Sequence, residues 1–154
     1  MATGTAAPSR VPTATPPAAI PATAATPPAD ACTRLVYLGA HDDVITARSM
    51  DWKTDVATNL WIFPRGMARN GQAGPNSVTW TSKYGSVVAG AYDMMTVDGL
   101  NEAGLGGHIL WLTESDYGTH DKSRPALSVA VWMQYFLDNF ATVAEAVDCI
   151  EKTG

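Results

Sequence analysis

The stretch CTRLVYLGAHDDVITARSMDW, residues 32–52, decides how the folded part of this chain begins. Residues 33–39 and 44–52 are rich in β-branched and aromatic side chains, and the AHDD segment between them has the composition of a turn. The stretch therefore predicts a β-hairpin that starts at Cys32.

The chain before Cys32 has a different composition. Residues 1–30 consist mostly of Ala, Pro and Thr and contain no aromatic residue, whereas all five Trp and all five Tyr follow Cys32. A segment of this composition buries too little apolar surface to offset the entropy that it loses on ordering. We therefore predict a disordered leader over residues 1–31 and one folded domain over residues 32–154.

The leader has some features of an export signal or a short propeptide. The ADA sequence directly before Cys32 fits a small-residue cleavage site, although Arg10 is the leader's one basic residue and prolines interrupt its apolar segment. An export signal favours a periplasmic or secreted location. The alternative is a disordered linker that is never cut.

The composition of the whole chain limits the classes of function. Its 154 residues carry a formal net charge of −5, and 46% of them are hydrophobic, as expected for one globular domain. No cluster of Lys and Arg could neutralise a row of phosphates, which argues against a nucleic-acid partner. No apolar run reaches the roughly 18 residues of a membrane-spanning helix. The sequence has no phosphate-binding loop or metal-ligand spacing, so we expect no cofactor.

Strand patterns continue after the hairpin, and helical patterns follow them. Thr142 and Glu145 form a capping box that starts the second of two helices. Strands followed by helices indicate an α+β fold, with a helical layer on an antiparallel sheet. The segments that we predict are a strand over 58–66 ended by Pro64, a polar loop over 69–77, two short strands over 77–93, a strand, turn and strand over 95–112 with Gly99 and Gly104 bracketing the turn, a loop over 115–125 and a helix over 126–140.

Cys32 lies at the boundary between leader and domain, where it could act as a nucleophile. Cleavage after Ala31 would give it a free α-amino group, which titrates near ~7.7–8.0 and can take the thiol proton. One residue would then supply both nucleophile and base. A buried structural cysteine and a lipid-modified cysteine are the alternatives. Cys149 lies in a helical pattern, where a lone cysteine is usually a small buried hydrophobe, so we expect the two cysteines to have separate roles.

Arg48 and Asp51 lie on the second strand of the hairpin, which returns beside the start of the first. Arg48 could stabilise a Cys32 thiolate, because a nearby cation favours the ionised thiol. Asp51 could hold the α-ammonium group by a charge-assisted hydrogen bond. The alternative is a surface salt bridge at the end of a strand.

Five segments in order, CTRLVYLG, ITARSMDW, NLWIFPRGM, SKYGSVVAG and VDGLNEAGLGGHILWL, closely resemble the choloylglycine hydrolase family of N-terminal nucleophile hydrolases. That family includes penicillin V acylases, bile salt hydrolases and some N-acyl-homoserine lactone acylases. The resemblance covers residues 32–154. Its most specific features are the initial Cys-Thr, the Arg-x-x-Asp that follows, the Pro-Arg-Gly, and the Asp-Gly-x-Asn-Glu-x-Gly-Leu.

The resemblance implies roles for four residues. Cys32 matches the N-terminal nucleophile, Arg48 the arginine beside its thiol, and Asp51 the aspartate that binds the free amine. Trp111 falls where bile salt hydrolases carry an Asn whose backbone N–H helps to form the oxyanion hole. Core packing is the alternative interpretation of Trp111.

The resemblance also implies a fold and an activity. The family fold is a four-layer αββα sandwich, of which this chain would supply only the N-terminal portion, leaving one sheet face open. The activity is hydrolysis of a linear amide C–N bond in a small molecule. The aromatic residue Trp111 and the SMDW segment favour a penicillin V acylase-like preference over bile salts or N-acyl-homoserine lactones. An inactive fragment or a non-enzymatic exported domain is the alternative from another class, and a homo-oligomer is compatible with either.

Some other residues have weaker interpretations. Asn101 and Glu102 read as turn residues, with Asn suited to a left-handed backbone conformation. His108 could touch substrate or be structural. An apolar acyl pocket could be lined in part by Met50, Trp52, Trp61 and Trp80, and the alternative is that they are core residues, as most aromatic residues of this kind are.

Overall fold

The computed structural model describes residues 32–112, 114–116, 118–119 and 121–153. The leader predicted over residues 1–31 lies outside the described residues. In the described part of the chain, the strands precede both α-helices, so the α+β prediction is confirmed. The elements are β1 (Arg34–Leu38), β2 (Val44–Arg48), β3 (Asn59–Phe63), β4 (Ala68–Asn70), β5 (Thr79–Thr81), β6 (Ser86–Ala91), β7 (Met95–Asn101), β8 (Gly106–His108), α1 (Val129–Asn139) and α2 (Val143–Thr153).

The strands form one four-stranded sheet and two hairpins. The sheet has the order β3-β6-β7-β8, and every neighbouring pair in it is antiparallel. β1 pairs with β2 as the sequence predicts, and β4 pairs with β5. β4 lies within the predicted polar loop, so the loop prediction is wrong at its start: Arg69 pairs with Trp80 across this short ladder.

Helix α1 packs across β7 and β8 and covers one face of the sheet. Leu137 of α1 is fully buried and packs with Val88 of β6 and Met133 of α1. A Cβ atom at Gly99 would lie 2.7 Å from Cδ1 of Leu137, and one at Gly107 would clash with Sδ of Met133. Gly99 therefore lies inside β7, where it lets the helix approach closely, and it does not bracket a turn as predicted.

Asn101 is the last residue of β7 and is buried. Its Nδ2 donates to the carbonyl oxygens of Leu137 and Phe140, each at 2.8 Å, at the end of α1. Its Oδ1 accepts from the amides of Ala103 (3.1 Å) and Leu105 (3.0 Å). Asn101 thus ties the β7–β8 turn to the helix, and the left-handed conformation predicted for it occurs instead at Gly104, where φ is 91°.

A buried polar cluster supports the same helix. The carboxylate of Asp138, which is fully buried, accepts from Nε1 of Trp80 at 2.7 Å and from Nε2 of Gln134 at 2.7 Å. Nε of Arg69 lies 3.3 Å from the same carboxylate. Trp80 also packs edge to face on Tyr135, so it belongs to the helix layer.

The second helix starts as the sequence predicts. The amide of Glu145 donates to Oγ1 of Thr142, and the amide of Thr142 donates to Oε2 of Glu145, each at 3.2 Å. The capping box is therefore confirmed. Cys149 lies on this helix, half-buried, and among the described residues it forms no disulfide with Cys32. Burial, and next the neighbouring Cys149, raise the pKa of Tyr135 above its ordinary value.

The opposite face of the sheet is apolar and open within the described part of the chain. Leu60 and Ile62 of β3 are 76% and 79% exposed, and Leu100 of β7 is 56% exposed. These residues alternate along their strands with side chains that face α1. The first hairpin is exposed along both strands as well, except at Arg48. Within the described residues, neither α-helix has the length and apolar composition that a membrane-spanning helix needs.

Candidate active site

The first hairpin places Cys32 beside the end of β2. Its register runs from Leu38 opposite Val44 to Arg34 opposite Arg48. The pairing continues one step further, because the amide of Ser49 donates to the carbonyl of Thr33 at 2.9 Å. Cys32 immediately precedes this pair, and its thiol-bearing side chain is half-buried. The residues after β2 therefore lie beside the start of the hairpin, as the sequence predicts.

Asp51 is held at this same end of the hairpin. Oδ2 of Asp51 accepts from Oγ of Ser49 at 2.9 Å, and Oγ of Ser49 in turn accepts from the amide of Thr33 at 3.2 Å. The carboxylate is thus linked through one hydroxyl to the residue that follows Cys32. Sequence reasoning missed Ser49, although its place between Arg48 and Asp51 could have suggested a bridging role.

Arg48 is nearly buried, with 9% of its side chain exposed, and its contacts lie on the main sheet. Nη1 donates to the carbonyl of Val97 at 3.1 Å, and Nε lies 3.8 Å from Oδ2 of Asp98. Nε also donates to the carbonyl of Ser49 at 3.3 Å. In the described part of the chain these are the polar contacts of Arg48, and Cys32 is not among them. The structure therefore brings Arg48 to the hairpin end, with its guanidinium turned toward β7.

A β-bulge in β7 creates the Arg48 contact. Ala89 pairs with Asp98 and Gly90 with Thr96, so Val97 is the extra residue between them. Its carbonyl accepts both from Nη1 of Arg48 and from the amide of Ile109. Bulges often re-aim side chains and backbone groups next to functional sites.

His108 completes a charged cluster on this face. Its Nδ1 lies 2.9 Å from Oδ2 of Asp98, the oxygen that also faces Arg48, and 7% of the His108 side chain is exposed. Nε2 of His108 is buried and has no hydrogen-bond partner in the described part of the chain. No group of three or more His, Cys, Asp or Glu side chains among the described residues could hold a metal ion.

Trp111 and Trp52 form an aromatic pair. Their ring centroids lie 5.7 Å apart at an interplanar angle of 71°, and Trp111 is 55% exposed. Because Trp52 follows Asp51 directly, the pair lies near the polar end of the hairpin. Among the described residues, the backbone N–H of Trp111 makes no hydrogen bond.

The two other tryptophans that we assigned to an acyl pocket lie elsewhere. Trp61 stacks on Phe63 and donates from Nε1 to Oδ1 of Asp93. Trp80 donates to Asp138 beneath α1. The predicted pocket is therefore wrong for Trp61 and Trp80, because the alternation of each strand turns the ring toward the helix layer.

Comparisons with known proteins show which family this chain belongs to. A family model described as linear amide C–N hydrolases, choloylglycine hydrolase family, matches residues 32–154. The penicillin V acylase of Pectobacterium atrosepticum is 55% identical over 131 residues, which cover 79% of this chain and 35% of that protein. The solved structure of penicillin V acylase from Agrobacterium tumefaciens matches with a TM-score of 0.74 and 66% identity, over 77% of this chain and 38% of that one.

The family match starts at Cys32, the residue just before the Thr33–Ser49 backbone pair at the end of the first hairpin. The chain spans little more than a third of each of these two relatives. The solved relative confirms the α+β fold predicted for the domain, with this chain corresponding to one part of it. The chain belongs to the choloylglycine hydrolase family of linear amide C–N hydrolases.

Proposed function

We propose that this chain carries the nucleophile-bearing part of a penicillin V acylase-like amide hydrolase, with Cys32 as the N-terminal nucleophile. The observation that carries the proposal is that two features meet at Cys32. The family match begins at Cys32, and the hairpin brings the residues after β2 back to that same point. Penicillin V acylases at 55% and 66% identity support the substrate class.

The first step would be exposure of the α-amino group of Cys32 by cleavage after Ala31. The free amine takes the thiol proton, and the thiolate attacks the carbonyl carbon of the amide. Asp51, fixed by Ser49, accepts a hydrogen bond from the α-ammonium group that results. Arg48 supplies positive charge near the thiolate from its fixed place between the hairpin and β7.

The tetrahedral intermediate then collapses. The Trp111 N–H and a second donor from outside this chain stabilise the oxyanion. The C–N bond breaks, the amine leaves with the proton from the α-ammonium group, and the acyl group stays on sulfur as a thioester. Water attacks the thioester, which releases the acid and returns the proton to the thiol. No cofactor takes part in these steps.

The exposed edge-to-face pair of Trp52 and Trp111 provides an apolar wall for an aromatic acyl group. An aryl side chain such as that of penicillin V fits such a wall. Bile salts and N-acyl-homoserine lactones are the alternative substrates of the same reaction. The chain would act after export, in the periplasm or outside the cell, with the leader removed.

The test replaces each cysteine separately. Residues 32–154, grafted in place of the matching segment of the Agrobacterium tumefaciens enzyme, should hydrolyse penicillin V. Cys32→Ala should lower turnover by on the order of 10⁴-fold or more, as loss of a catalytic nucleophile does. Cys149→Ala is the matched control and should leave turnover nearly unchanged, because Cys149 lies on α2. Equal loss in both variants, or retained turnover in Cys32→Ala, would contradict the proposal.

A further inference from the structure

Asp98 pairs with His108 and also lies beside Arg48, with 25% of the Asp98 side chain exposed. Oδ2 of Asp98 is shared between Nδ1 of His108 at 2.9 Å and Nε of Arg48 at 3.8 Å. Both partners are at least nine-tenths buried. An ionised carboxylate can only accept, so His108 donates from Nδ1 and its hydrogen bond fixes the orientation of the carboxylate.

The bulge in β7 determines which groups lie beside the Arg48 guanidinium. Because Val97 is the extra residue, its carbonyl and the side chain of Asp98 meet the same guanidinium. Arg48 thereby donates to the carbonyl of Val97 on the main sheet and to the carbonyl of the next residue, Ser49, and its Nε lies at ion-pair distance, 3.8 Å, from the Asp98 carboxylate. An arginine that is fixed at several points loses little side-chain conformational entropy when it binds a further anion.

A purely structural role leaves one feature of His108 unexplained. Its Nε2 is buried without a partner in the described part of the chain, and such groups are rare because each carries a desolvation cost. A hydrophobic side chain at position 108 would avoid that cost. The hydrogen bond that His108 makes through Nδ1 is the property that a hydrophobic residue could not supply.

We infer that His108 and Asp98 are positioning residues for Arg48: the His108–Asp98 hydrogen bond aims the carboxylate that, with the Val97 carbonyl, holds the guanidinium beside the Cys32 end of the hairpin. The inference rests on the proposed function, since it assigns Arg48 to activation of the Cys32 thiol. His108 acts here through Asp98 and Arg48, and not by contact with the reacting atoms.

The experiment measures alkylation of Cys32 by iodoacetamide as a function of pH in the 154-residue chain, with the adduct located by peptide mass spectrometry. This readout requires neither turnover nor cleavage after Ala31. Cys149 in the same molecule reports any general change in reactivity. The chain unfolded in guanidinium gives the reactivity of a thiol without Arg48 beside it.

The variants separate positioning from packing. Arg48→Ala should slow Cys32 alkylation near neutral pH by about tenfold or more. The reason is that a neighbouring opposite charge commonly changes the pKa of an ionisable group by about 1–3. His108→Leu keeps the bulk, removes the donor, and should slow Cys32 by at least about twofold. His108→Asn keeps an N–H on the same side of Cγ and should restore most of the rate. His41→Asn changes an exposed histidine and should have no effect.

The decisive comparison is the double variant. In the Arg48→Ala background, His108→Leu should no longer change the alkylation of Cys32, because its effect passes through Arg48. An equal effect of His108→Leu with and without Arg48, or no effect in either, would overturn the positioning role. A Cys32 profile that is the same in the native chain, in Arg48→Ala and in guanidinium would instead overturn the thiol activation in the proposed function.

Discussion

The two faces of the main sheet differ in what they hold. The face under α1 is closed by apolar packing around Leu137 and by the hydrogen bonds of Asp138, and both residues are fully buried. The opposite face exposes Leu60 and Ile62, yet it carries the charged cluster around Arg48. The helix face therefore maintains the fold, whereas the open face carries the residues to which we assign chemistry.

The largest effect on folding should come from the helix face. Leu137→Ala removes a side chain that contacts Val88 and leaves a cavity beside Gly99, which should cost about 2–5 kcal/mol of unfolding free energy. Leu100→Ala on the open face is the matched control and should cost far less, since Leu100 is 56% exposed. Urea unfolding followed by tryptophan fluorescence measures both. Equal costs would remove the contrast between the faces.

The open face should control solubility. Contiguous exposed apolar surface above ~300–600 Å² exceeds what a typical monomer presents and favours association. Residues 32–154 alone should therefore aggregate or dimerise, and should hydrolyse no penicillin V. Substituting Leu60→Lys and Ile62→Thr should shift the protein toward monomer in size-exclusion chromatography. The control Trp61→Phe changes the intervening position, which faces the helix layer, and should not improve solubility. A soluble monomer with a cooperative melt before any substitution would contradict this prediction.

The smallest effect should come from an exposed ion pair near the β7–β8 turn. The amide of Gly85 donates to Glu102 at 2.8 Å, and this bond, followed by the ion pair with Arg65, lowers the pKa of Glu102 below its ordinary value of 4.5. The stabilisation is therefore present above about pH 4.5 and is lost as the pH falls through the lowered pKa.

Glu102→Gln tests this assignment. It should lower the melting temperature slightly at neutral pH, and the difference from the unsubstituted protein should shrink in acid. Glu151→Gln, on the exposed side of α2, is the control and should show no such pH dependence. A difference that grows as the pH falls would show that the sign is wrong.

Local patterns in the sequence predicted the parts of the fold that depend on neighbouring residues. The hairpin from Cys32 and the capping box of Thr142 and Glu145 follow from turn and cap chemistry within a few positions. Asn101 could not be predicted in the same way, because its hydrogen bonds join β7 to the distant end of α1. An asparagine that lies between Gly99 and Gly104 reads locally as a turn residue.

The site was predicted less completely than the fold, for a related reason. Cys32, Arg48, Asp51 and Trp111 came from motif and family resemblance, and their roles stay predictions. The Asp98–His108 pair depends on the bulge at Val97, which shifts the strand alternation by one residue. Strand alternation shows which residues share a face of a sheet, but it does not show which face a helix will cover. For that reason Trp61 and Trp80 were assigned to the acyl pocket, although both face the helix layer.

The most direct test of the account is the N-terminus of the mature protein. The chain, expressed with its own leader in a host that exports proteins, is purified and its N-terminal residue is identified by sequencing and intact mass. The account predicts that the protein starts at Cys32, with a free α-amino group beside the thiol. Residues 1–154, joined to the remainder of the Agrobacterium tumefaciens enzyme, give the matching activity test. A joined protein that still starts at Met1 or Ala2 and hydrolyses penicillin V would contradict this prediction, because an amide nitrogen at Cys32 cannot accept the thiol proton.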